Sequence, residues 1–595
     1  MRVVYFDIEA NGFLDDVTKL WTASVSDGVS KASTVDIPTL LQTLTAADTI
    51  VGHNVIGYDL PVLSKLYPEF RVDHGKVVDT LVLSRLLCPD LSNTDREPGA
   101  TATPTKVGSH SLEAWGQRLG FEKMEWKHGF DKFHPDMPVY CQRDVDVTVR
   151  LHEYLLAEAN DQPRAVELEH KVAWICAKQE QRGFPFDTQA ANALVAQIHK
   201  EQLALELRLQ DTFAPFFKRV PGEPFIPKRT TKGNADTTQP PGTWEGAPYS
   251  KVQRTIFNPN SRQHIADRLH AIYGWKPKEF TPSGQAKIDE TVLKNLPYPE
   301  AKLLARYLLL QKRYGYLVNE DNERGLLNHV NNGRIHGRVI TNGAVTGRAT
   351  HKVIANLPRV KTEYGPELRA LFIPSADKVM VGVDMSGIEL RLLAHFMSFY
   401  DAGEYGKHVC NEDIHVYHQN LIGLPTRDNA KTFIYALIYG AGDNKLGSIT
   451  RPDAGSNEQR SAGRELRERM MKGLPAFAAL KEAVGEAVNN QGYLRGLDNR
   501  KLHIRSEHAA LNTLLQSAGA VLSKQWMVEV DNLNYPTANQ LIWYHDELQF
   551  EVSPEKADDF GKLVVECIQK AGDLFKIRVP LAGEYKIGNS WKECH

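Results

Sequence analysis

The chain has 595 residues, of which 42% are hydrophobic and 24% charged, so several domains with large cores are expected. Its formal net charge of −2 neither supports nor excludes nucleic-acid binding, because basic grooves can be offset by acidic metal sites. The six cysteines are scattered and form no C-x-x-C pair, which argues against a zinc ribbon. The N-terminus does not have the apolar run of a signal peptide, and no stretch approaches the ~20 consecutive apolar residues of a membrane span, so the cytoplasm is expected.

The first 160 residues have an α/β pattern. Residues 3–6 predict a short buried strand that ends on Asp7, and residues 49–51 predict a second strand followed by a polar turn. A helix is expected from about Leu60. The polar stretch at 158–163 predicts a domain boundary.

Acidic residues and tyrosines recur at the ends of these elements, in three ordered patterns. A lone D-x-E pattern is weak evidence, but the set brings four carboxylates that can converge on two metal ions. A degenerate domain kept as a scaffold is the alternative, although such a domain usually shows lost carboxylates. The patterns are Asp7-x-Glu9, Asn54-xxx-Tyr58-Asp59 and Tyr140-xxx-Asp144.

Helical periodicity covers residues 165–181, 188–213 and 299–314. The stretch 214–249 between them holds seven prolines and a cluster of basic residues, so it is interpreted as a long basic loop. It is either a flexible solvated loop or an arm that contacts DNA or a partner. Its basic residues are Lys218, Arg219, Lys228, Arg229 and Lys232.

Two further acids in the second half follow apolar runs that predict buried strands, near Met380 and Leu541. Asp384 ends the first strand and Asp546 ends the second in this interpretation. Two strand ends of this kind can hold two Mg²⁺ ions roughly 3.5–4 Å apart, as in-line phosphoryl transfer requires. Helices are predicted at 389–397, 428–439, 458–490 and 509–530.

A stripe of cations and rings lies between these aspartates. Arg427, Lys431, Tyr435 and Tyr439 are four residues apart and share one helix face. Such stripes are common on solvent-facing helices. The position between the two aspartates instead favours a phosphate clamp and a stacking ring, as in a nucleotidyl transferase.

These segments resemble the motifs of the family A, or polymerase I-like, DNA polymerases, most closely those of the replicative polymerases of T-seven-type short-tailed phages. The resemblance covers nearly the whole chain in the expected order, through residues 346–351, 384–391, 424–435, 508–520 and 545–547. It implies an α/β multidomain protein: an RNase H-like 3′–5′ exonuclease domain followed by the right hand of a family A polymerase. The implied domains are the exonuclease at 1–162, a thumb at 163–335 with a short basic insertion at 214–249, the palm at 336–400 and 501–595, and fingers at 401–500.

The resemblance also implies roles for the residues of the polymerase motifs. Asp384 and Asp546 would hold two Mg²⁺ ions, with Mn²⁺ as a possible substitute, and Glu547 would support them beside the primer end. The implied nucleotide-binding residues are His415, Arg427, Lys431, Tyr435, Tyr439 and Glu389. The implied readers of minor-groove acceptors are Arg348, His508, Asn512 and Gln516.

The three N-terminal patterns resemble the DEDD exonucleases of the Y type. That resemblance implies that Tyr140 orients the attacking water or the scissile phosphate. The complete set of acids implies active proofreading. The implied metal ligands are Asp7, Glu9, Asp59 and Asp144.

The function implied is therefore a bacteriophage replicative DNA-directed DNA polymerase with proofreading, acting on primer–template DNA and dNTPs in the host cytoplasm. A phage helicase–primase and a single-stranded DNA-binding protein are partners by analogy only. Thioredoxin binding is in doubt, because the insertion is shorter than in the close phage relatives. Ala436 stands where those relatives have Gly, and the segment after His351 is shorter. The alternatives are a nuclease with a vestigial polymerase half, a non-catalytic DNA-binding scaffold and a repair polymerase.

Overall fold

The computed structural model describes residues 2–34, 36–231, 242, 244–281, 283–319 and 325–595, so Lys232 of the predicted insertion lies outside the described residues. Packing divides the chain into two compact units, which differ from the predicted functional domains, and those domain boundaries stay predictions. In the described part, no helix is long and apolar enough to cross a membrane. The first unit comprises Met1–Pro185, His336–Asn356 and Phe372–His595, and the second comprises Phe186–Ile335 and Leu357–Leu371.

The N-terminal part of the first unit is an α/β layer. Its strands are β1 (Val3–Ala10), β2 (Leu20–Ser26), β3 (Lys31–Thr34), β4 (Thr49–Gly52), β5 (Val77–Asp79) and β6 (Phe184–Pro185). Its helices are α1 (Ile37–Thr45), α2 (Asp59–Leu66), α3 (Thr80–Leu87), α4 (Leu91–Thr94), α5 (Leu112–Arg118), α6 (Met137–Asp161) and α7 (Pro163–Arg182).

The first five strands form one sheet in the order β3-β2-β1-β4-β5, with β1 antiparallel to β2 and parallel to β4. β1 lies in the middle and is buried almost continuously, as expected for a strand covered on both faces. The prediction that this strand ends on Asp7 was wrong, because β1 continues through Ala10. Since alternate strand residues share a face, Asp7 and Glu9 project from the same side.

The second unit is largely helical. The predicted loop at 214–249 begins in a short antiparallel pair, because β7 pairs with β8 and their register joins Phe216 to Thr255. The loop interpretation therefore missed a hairpin stem. The elements are α8 (Thr188–Thr212), β7 (Phe216–Arg219), β8 (Val252–Thr255), α9 (Arg262–Tyr273), α10 (Glu290–Lys294), α11 (Pro299–Leu317), β9 (Val330–Asn331), β10 (Arg334–Ile335) and α12 (Gly365–Ala370).

The C-terminal part of the first unit packs helices around a second sheet, whose strand order is β16-β17-β13-β18. The strands are β11 (Val339–Ile340), β12 (Thr350–His351), β13 (Val379–Met385), β14 (Tyr493–Arg495), β15 (Lys501–His503), β16 (Asn539–Tyr544), β17 (Glu547–Val552) and β18 (Gly583–Gly588). The helices are α13 (Ile388–Asp401), α14 (Glu404–Asn411), α15 (Ile414–Ile422), α16 (Arg427–Ile438), α17 (Asp443–Ser448), α18 (Ser456–Gly473), α19 (Pro475–Gln491), α20 (Ala510–Asp531) and α21 (Ala557–Leu574).

The single helix predicted at 458–490 is two helices, α18 and α19. The break follows from Pro475, which has no backbone N–H to continue the ladder but suits the first turn of a new helix. Polar periodicity alone did not reveal this break.

The turn between β16 and β17 corrects the sequence-based placement of Asp546. Tyr544 pairs with Glu547, which leaves His545 and Asp546 as a two-residue hairpin turn. His545 has a φ of +64°, the left-handed value that such tight turns need at their first position. Asp546 therefore lies in the turn that follows the strand, while Asp384 lies inside β13, opposite Glu547.

Candidate active sites

The predicted N-terminal acids come together at one place in the first unit. Asp7 and Glu9 project from β1, Asp59 begins α2, and Asp144 lies in the second turn of α6. Asp59 accepts a hydrogen bond from the backbone N–H of Ile8 at 3.2 Å, which ties α2 to the strand that bears the other acids. Asp59 and Asp144 are about 95% buried.

Burial and mutual repulsion make full ionisation of these acids unfavourable. Burial, and then the charges of Asp59 and Asp144, raise the pKa of Asp7 well above its ordinary value. Burial and then Asp144 raise the pKa of Glu9 to about 8, and burial raises that of Asp59 to about 7. One oxygen of Asp144 is buried without a hydrogen-bond partner. Clustered carboxylate oxygens with an unfilled acceptor fit hard divalent cations such as Mg²⁺.

A lysine that the sequence patterns missed also lies in this cluster. Lys123, in the loop before α6, forms an ion pair with Asp144, and its ammonium lies 5.0 Å from the ring centroid of Tyr140. Burial lowers the pKa of Lys123, but Asp144 and Tyr140 outweigh burial and raise it above its ordinary value. A single lysine in a loop belongs to no periodic sequence pattern, so its position could not be predicted. The only signal in the sequence was the set of four acids, which would need a cation nearby.

Tyr140 is where the sequence predicts it, one helical turn before Asp144 on α6. Its ring lies 4.9 Å from that of Trp126, and burial, followed by the charge of Asp144, raises its pKa. The phenol therefore stays protonated at neutral pH and can donate a hydrogen bond into the cluster.

The second group of acids lies at one end of the C-terminal sheet. Asp384 and Asp546 are exposed at this end of the sheet, but the surrounding protein still removes part of their hydration. This loss of hydration, and then the charge of Asp546, raise the pKa of Asp384 to about 7, and loss of hydration raises the pKa of Asp546. Glu547 is different, because Gln549 Nε2 donates to it at 2.6 Å and Trp591 Nε1 also donates. Although burial raises the pKa of Glu547, its hydrogen bond with His595 Nδ1 at 2.8 Å leads the contacts that lower the pKa overall.

The predicted stripe lies along α16. Thr426 caps this helix by accepting from Asn429 N at 3.1 Å, which places Arg427 at its first position. Arg427 is about half exposed and pairs with Asp413 at 2.7 Å, while Lys431 is exposed. Cations at this end of the helix therefore face solvent, where a triphosphate could reach them.

Rings continue the stripe toward the acids. The ring of Tyr435 lies 6.1 Å from that of His415 and 6.3 Å from that of Tyr439, which follows the last residue of α16. Tyr439 Oη donates to Glu389 at 2.7 Å, and Arg348 lies 3.5 Å from the same carboxylate. The structure thus brings residues from three sequence motifs into contact.

The remaining predicted DNA-binding residues lie on and just before α20. Asn512 and Gln516 are one helical turn apart, and exposed His508 lies in a short 3-10 turn ahead of the helix. Asn512 has a buried side-chain oxygen without a partner. This arrangement leaves polar groups along one helix edge for a ligand.

A fully buried ion-pair network supports the loop that bears Arg348, and sequence reasoning missed it. Lys524 Nζ donates to Gly347 O at 2.8 Å and to Glu169 at 2.5 Å, and Arg500 Nη2 donates to Glu169 at 2.7 Å. Gly347 has a φ of +77°, and a Cβ there would lie 2.7 Å from Arg500 Nη1. Only glycine satisfies both conditions.

Comparisons with known proteins agree on one family. The family model described as DNA polymerase family A matches residues 230–593. The DNA-directed DNA polymerase of Enterobacteria phage T3 is 35% identical over 717 aligned positions, covering 99% of each chain. That of Escherichia phage T7 is 35% identical over 722 positions, covering all of both chains. DNA polymerase I of Geobacillus stearothermophilus is 25% identical over 546 positions, covering 87% of this chain and 56% of that protein.

The alignment with the phage T3 protein contains long gaps in this chain. It has 717 positions, whereas this chain has 595 residues, so at least 122 positions face gaps in this chain.

Proposed function

Because the chain belongs to the family A DNA polymerases and is a phage-type DNA-directed DNA polymerase, we propose that it replicates phage DNA by a two-metal reaction and proofreads its product. The observation that carries the first part is the convergence of Asp384 and Asp546: Asp384 pairs with Glu547 in the sheet, and the backbone N–H of the next residue, Met385, donates to the carbonyl oxygen of Asp546 at 3.0 Å. Divalent ions bound there would activate the primer 3′-hydroxyl and neutralise the triphosphate.

The protein residues have distinct roles in this proposal. Arg427 and Lys431, with His415 from α15, bind the β- and γ-phosphates, because they form the cationic part of the α16 stripe. Tyr435 stacks on the incoming nucleotide. Glu389 lies under its sugar, where it excludes a 2′-hydroxyl. Glu547, oriented by its hydrogen bonds with Trp591 and His595, supports the two aspartates.

The template side uses the neighbouring residues. Tyr439 packs on the template side of the new base pair, and its hydroxyl donates a hydrogen bond to Glu389. The minor-groove acceptors of the new base pairs lie in nearly the same place for every correct pair, so donors at fixed positions can test the fit without reading sequence. We assign this task to Arg348, His508, Asn512 and Gln516.

The proofreading activity rests on the N-terminal cluster. Its four carboxylates would hold divalent ions, and the protonated phenol of Tyr140 would orient the attacking water or the scissile phosphate. Lys123 belongs to this site as well, since its charge offsets part of the repulsion among the acids. The ligands assigned are Asp7, Glu9, Asp59 and Asp144.

The domain assignment is part of the same proposal. Residues 1–162 form the RNase H-like exonuclease domain, 163–335 the thumb, 336–400 and 501–595 the palm, and 401–500 the fingers. Mg²⁺ is the metal, primer–template DNA and dNTPs are the substrates, and the host cytoplasm is the place of action. The basic insertion at 214–249 is proposed to be too short to bind thioredoxin as in the close phage relatives.

Primer extension on a long primed single strand tests the proposal. The reaction contains Mg²⁺ and no other protein, at low and at moderate salt. Wild type is compared with Asp546→Ala and with Asp7→Ala/Glu9→Ala, and Asp559→Ala on the exposed face of α21 is the matched control. Asp546→Ala should lower extension by roughly 10³-fold or more, because several kcal/mol of metal-dependent stabilisation are lost.

Each outcome separates the alternatives. Degradation that survives in Asp546→Ala but disappears in Asp7→Ala/Glu9→Ala supports two independent sites. Long products from wild type indicate intrinsic processivity, and short products indicate a missing processivity partner. Absence of synthesis, with degradation that needs Asp7 and Glu9, would overturn the polymerase assignment in favour of a nuclease.

A further inference from the structure

The loop that carries Lys123 contains a group of metal-ligand side chains in addition to the N-terminal acids. This loop spans residues 119–136, all within the described part of the chain, and contains no helix or strand. Loops of more than about 12–15 residues without secondary structure are uncommon and often functional. Its side chains His128, His134 and Asp136 each offer one ligand atom, and these atoms lie within 4.8 Å of one another.

The two histidines of this group lie face to face. Their ring centroids are 3.7 Å apart, and the ring planes differ by 18°. The backbone N–H of Asp136 donates to His134 Nδ1 at 3.2 Å, and the Asp136 carboxylate lies 3.6 Å from the same nitrogen. His134 Nδ1 therefore carries no proton, which is the state that a metal ligand requires.

Nearly parallel rings direct their nitrogen lone pairs side by side, so one ring must rotate about its side-chain torsions before both point at one ion. Because His128 is exposed, its ring can make that rotation at the surface without opening the protein core. The remaining ligand, Asp136, is also exposed and adjusts in the same way.

Two imidazoles and one carboxylate favour a particular class of ion. Mg²⁺ and Ca²⁺ prefer oxygen ligands, whereas imidazole nitrogen suits Zn²⁺ and the divalent ions near it in the first transition row. Three protein ligands leave the fourth tetrahedral position of Zn²⁺ to water. One other group of this kind occurs among the described residues, and it has two carboxylates and no imidazole: Asp7, Glu9 and Cys141. The two groups therefore differ in the metal that they favour.

The ring of Trp126 connects the histidines to the N-terminal acid cluster. It lies 5.1 Å from the ring of His128, 5.7 Å from that of His134 and 4.9 Å from that of Tyr140. Asp136 directly precedes α6, the helix that bears Tyr140. An ion bound by the three ligands would therefore close the end of the loop and hold Trp126 against this helix.

We propose that His128, His134 and Asp136 bind one divalent transition-metal ion of the Zn²⁺ class, which fastens the end of the loop to the start of α6. The ion has a structural role, because a metal that clips a loop together reduces its conformational freedom. The site is independent of the proposed polymerase and exonuclease reactions, since none of its three ligands belongs to either set of acids.

Titration of the full chain with Zn²⁺ in an isothermal calorimeter tests the site. Excess Mg²⁺ is present throughout, because it competes for the carboxylate clusters but poorly for imidazole. Wild type is compared with His128→Asn/His134→Asn and with His128→Asn alone, whose exposed position leaves the fold intact. The matched control is His199→Asn/His270→Asn, which removes two exposed histidines of α8 and α9.

The number of bound ions is the first readout. Wild type and the control should bind one more Zn²⁺ per chain than the double variant at 128 and 134, which has lost two of three ligands. Asp7→Ala/Glu9→Ala should retain this ion, which separates it from any Zn²⁺ bound by the N-terminal acids. Equal numbers of Zn²⁺ in wild type and the histidine double variant would overturn the proposal.

Limited digestion with trypsin is an independent readout of the loop. Lys127, next to the first histidine, and Lys132, between the two, are exposed and offer cleavage sites. If cleavage requires the ion-free loop, Zn²⁺ at about ten times its dissociation constant should slow it roughly tenfold in wild type. The histidine double variant should be cleaved at the same rate with and without Zn²⁺. Cleavage of wild type that Zn²⁺ does not slow would overturn the role assigned to the ion.

Discussion

In both candidate catalytic clusters neighbouring carboxylates repel one another, but the groups that surround these carboxylates differ. In the N-terminal cluster Glu9, Asp59 and Asp144 are deeply buried, and Lys123 provides one positive charge beside Asp144. In the C-terminal cluster Asp384 and Asp546 are exposed, and the third acid, Glu547, is buried and held by Trp591 and His595. Both clusters contain carboxylates with raised pKa values, so a bound cation would stabilise their ionised form at either site.

A buried acid outside both clusters has cations of the protein beside it. Glu169 is completely buried, and one of its oxygens accepts hydrogen bonds from both Lys524 and Arg500, while the other has no hydrogen-bond partner. Two neighbouring cations therefore compensate its charge, and we assign it a structural role. The difference between the clusters proposed to hold metal ions and an acid that has cations of the protein beside it leads to four predictions.

The largest expected effect is at Glu169. Lys524→Met should lower the free energy of unfolding by about 3–5 kcal/mol, because it leaves the Glu169 charge buried without one of its partners. Thermal and urea unfolding measure the change, with Lys570→Met on the exposed face of α21 as control. A variant as stable as wild type would contradict the structural role of the network.

The N-terminal acids should give a distinctive dependence of stability on pH in EDTA. Because the pKa of Glu9 is about 8, the folded protein keeps a proton that the unfolded chain releases near pH 4.5. The stabilisation is complete below pH 4.5 and is lost as the pH rises through 8.

Glu9→Gln removes this pH-dependent term. The stability of the variant relative to wild type should therefore increase by on the order of 2–4 kcal/mol between pH 5 and pH 8. Differential scanning fluorimetry in EDTA measures it, and Mg²⁺ should reduce the difference. The control is Glu125→Gln, which is exposed. Parallel pH profiles for wild type and Glu9→Gln would disprove the raised pKa.

Removal of Lys123 should weaken the proposed exonuclease activity and leave primer extension unchanged. In wild type the charge of Lys123 lowers the pKa of Asp144 and of Glu9, so Lys123→Met should raise both pKa values further. At neutral pH and limiting Mg²⁺, degradation should fall roughly tenfold per unit of pKa and recover at higher pH. Lys127→Met in the same loop is the control. A parallel fall in primer extension would show a general defect instead.

The smallest effect is expected at the tether of Glu547. The His595 side chain is about one-third exposed, so its ion pair contributes about 1 kcal/mol or less. His595→Gln should therefore lower primer extension only a few-fold and leave degradation unchanged. His408→Gln, which removes a comparable exposed pair with Glu412, is the control. A loss as large as that of Asp546→Ala would mean that the tether is catalytic.

Much of the local structure follows from the sequence because its causes are local. The buried strand around Asp384 and the α16 stripe from Arg427 appear where the hydrophobic pattern and the four-residue spacing predict them. The errors also have local explanations. Residue 475 is a proline that starts a second helix, and His545 adopts a left-handed turn that moves Asp546 out of the strand.

The sequence by itself therefore determined the family, the order of the motifs and the residues that carry the acids, since these depend on residue type and spacing. The tertiary structure alone decided which groups neutralise those acids. Lys123 meets Asp144, His595 meets Glu547, and Lys524 meets Glu169 across separations of 21 to 355 residues. Such pairs depend on long-range packing, because an ion pair at 3 Å is set by where two distant backbones lie and leaves no periodic trace in either segment.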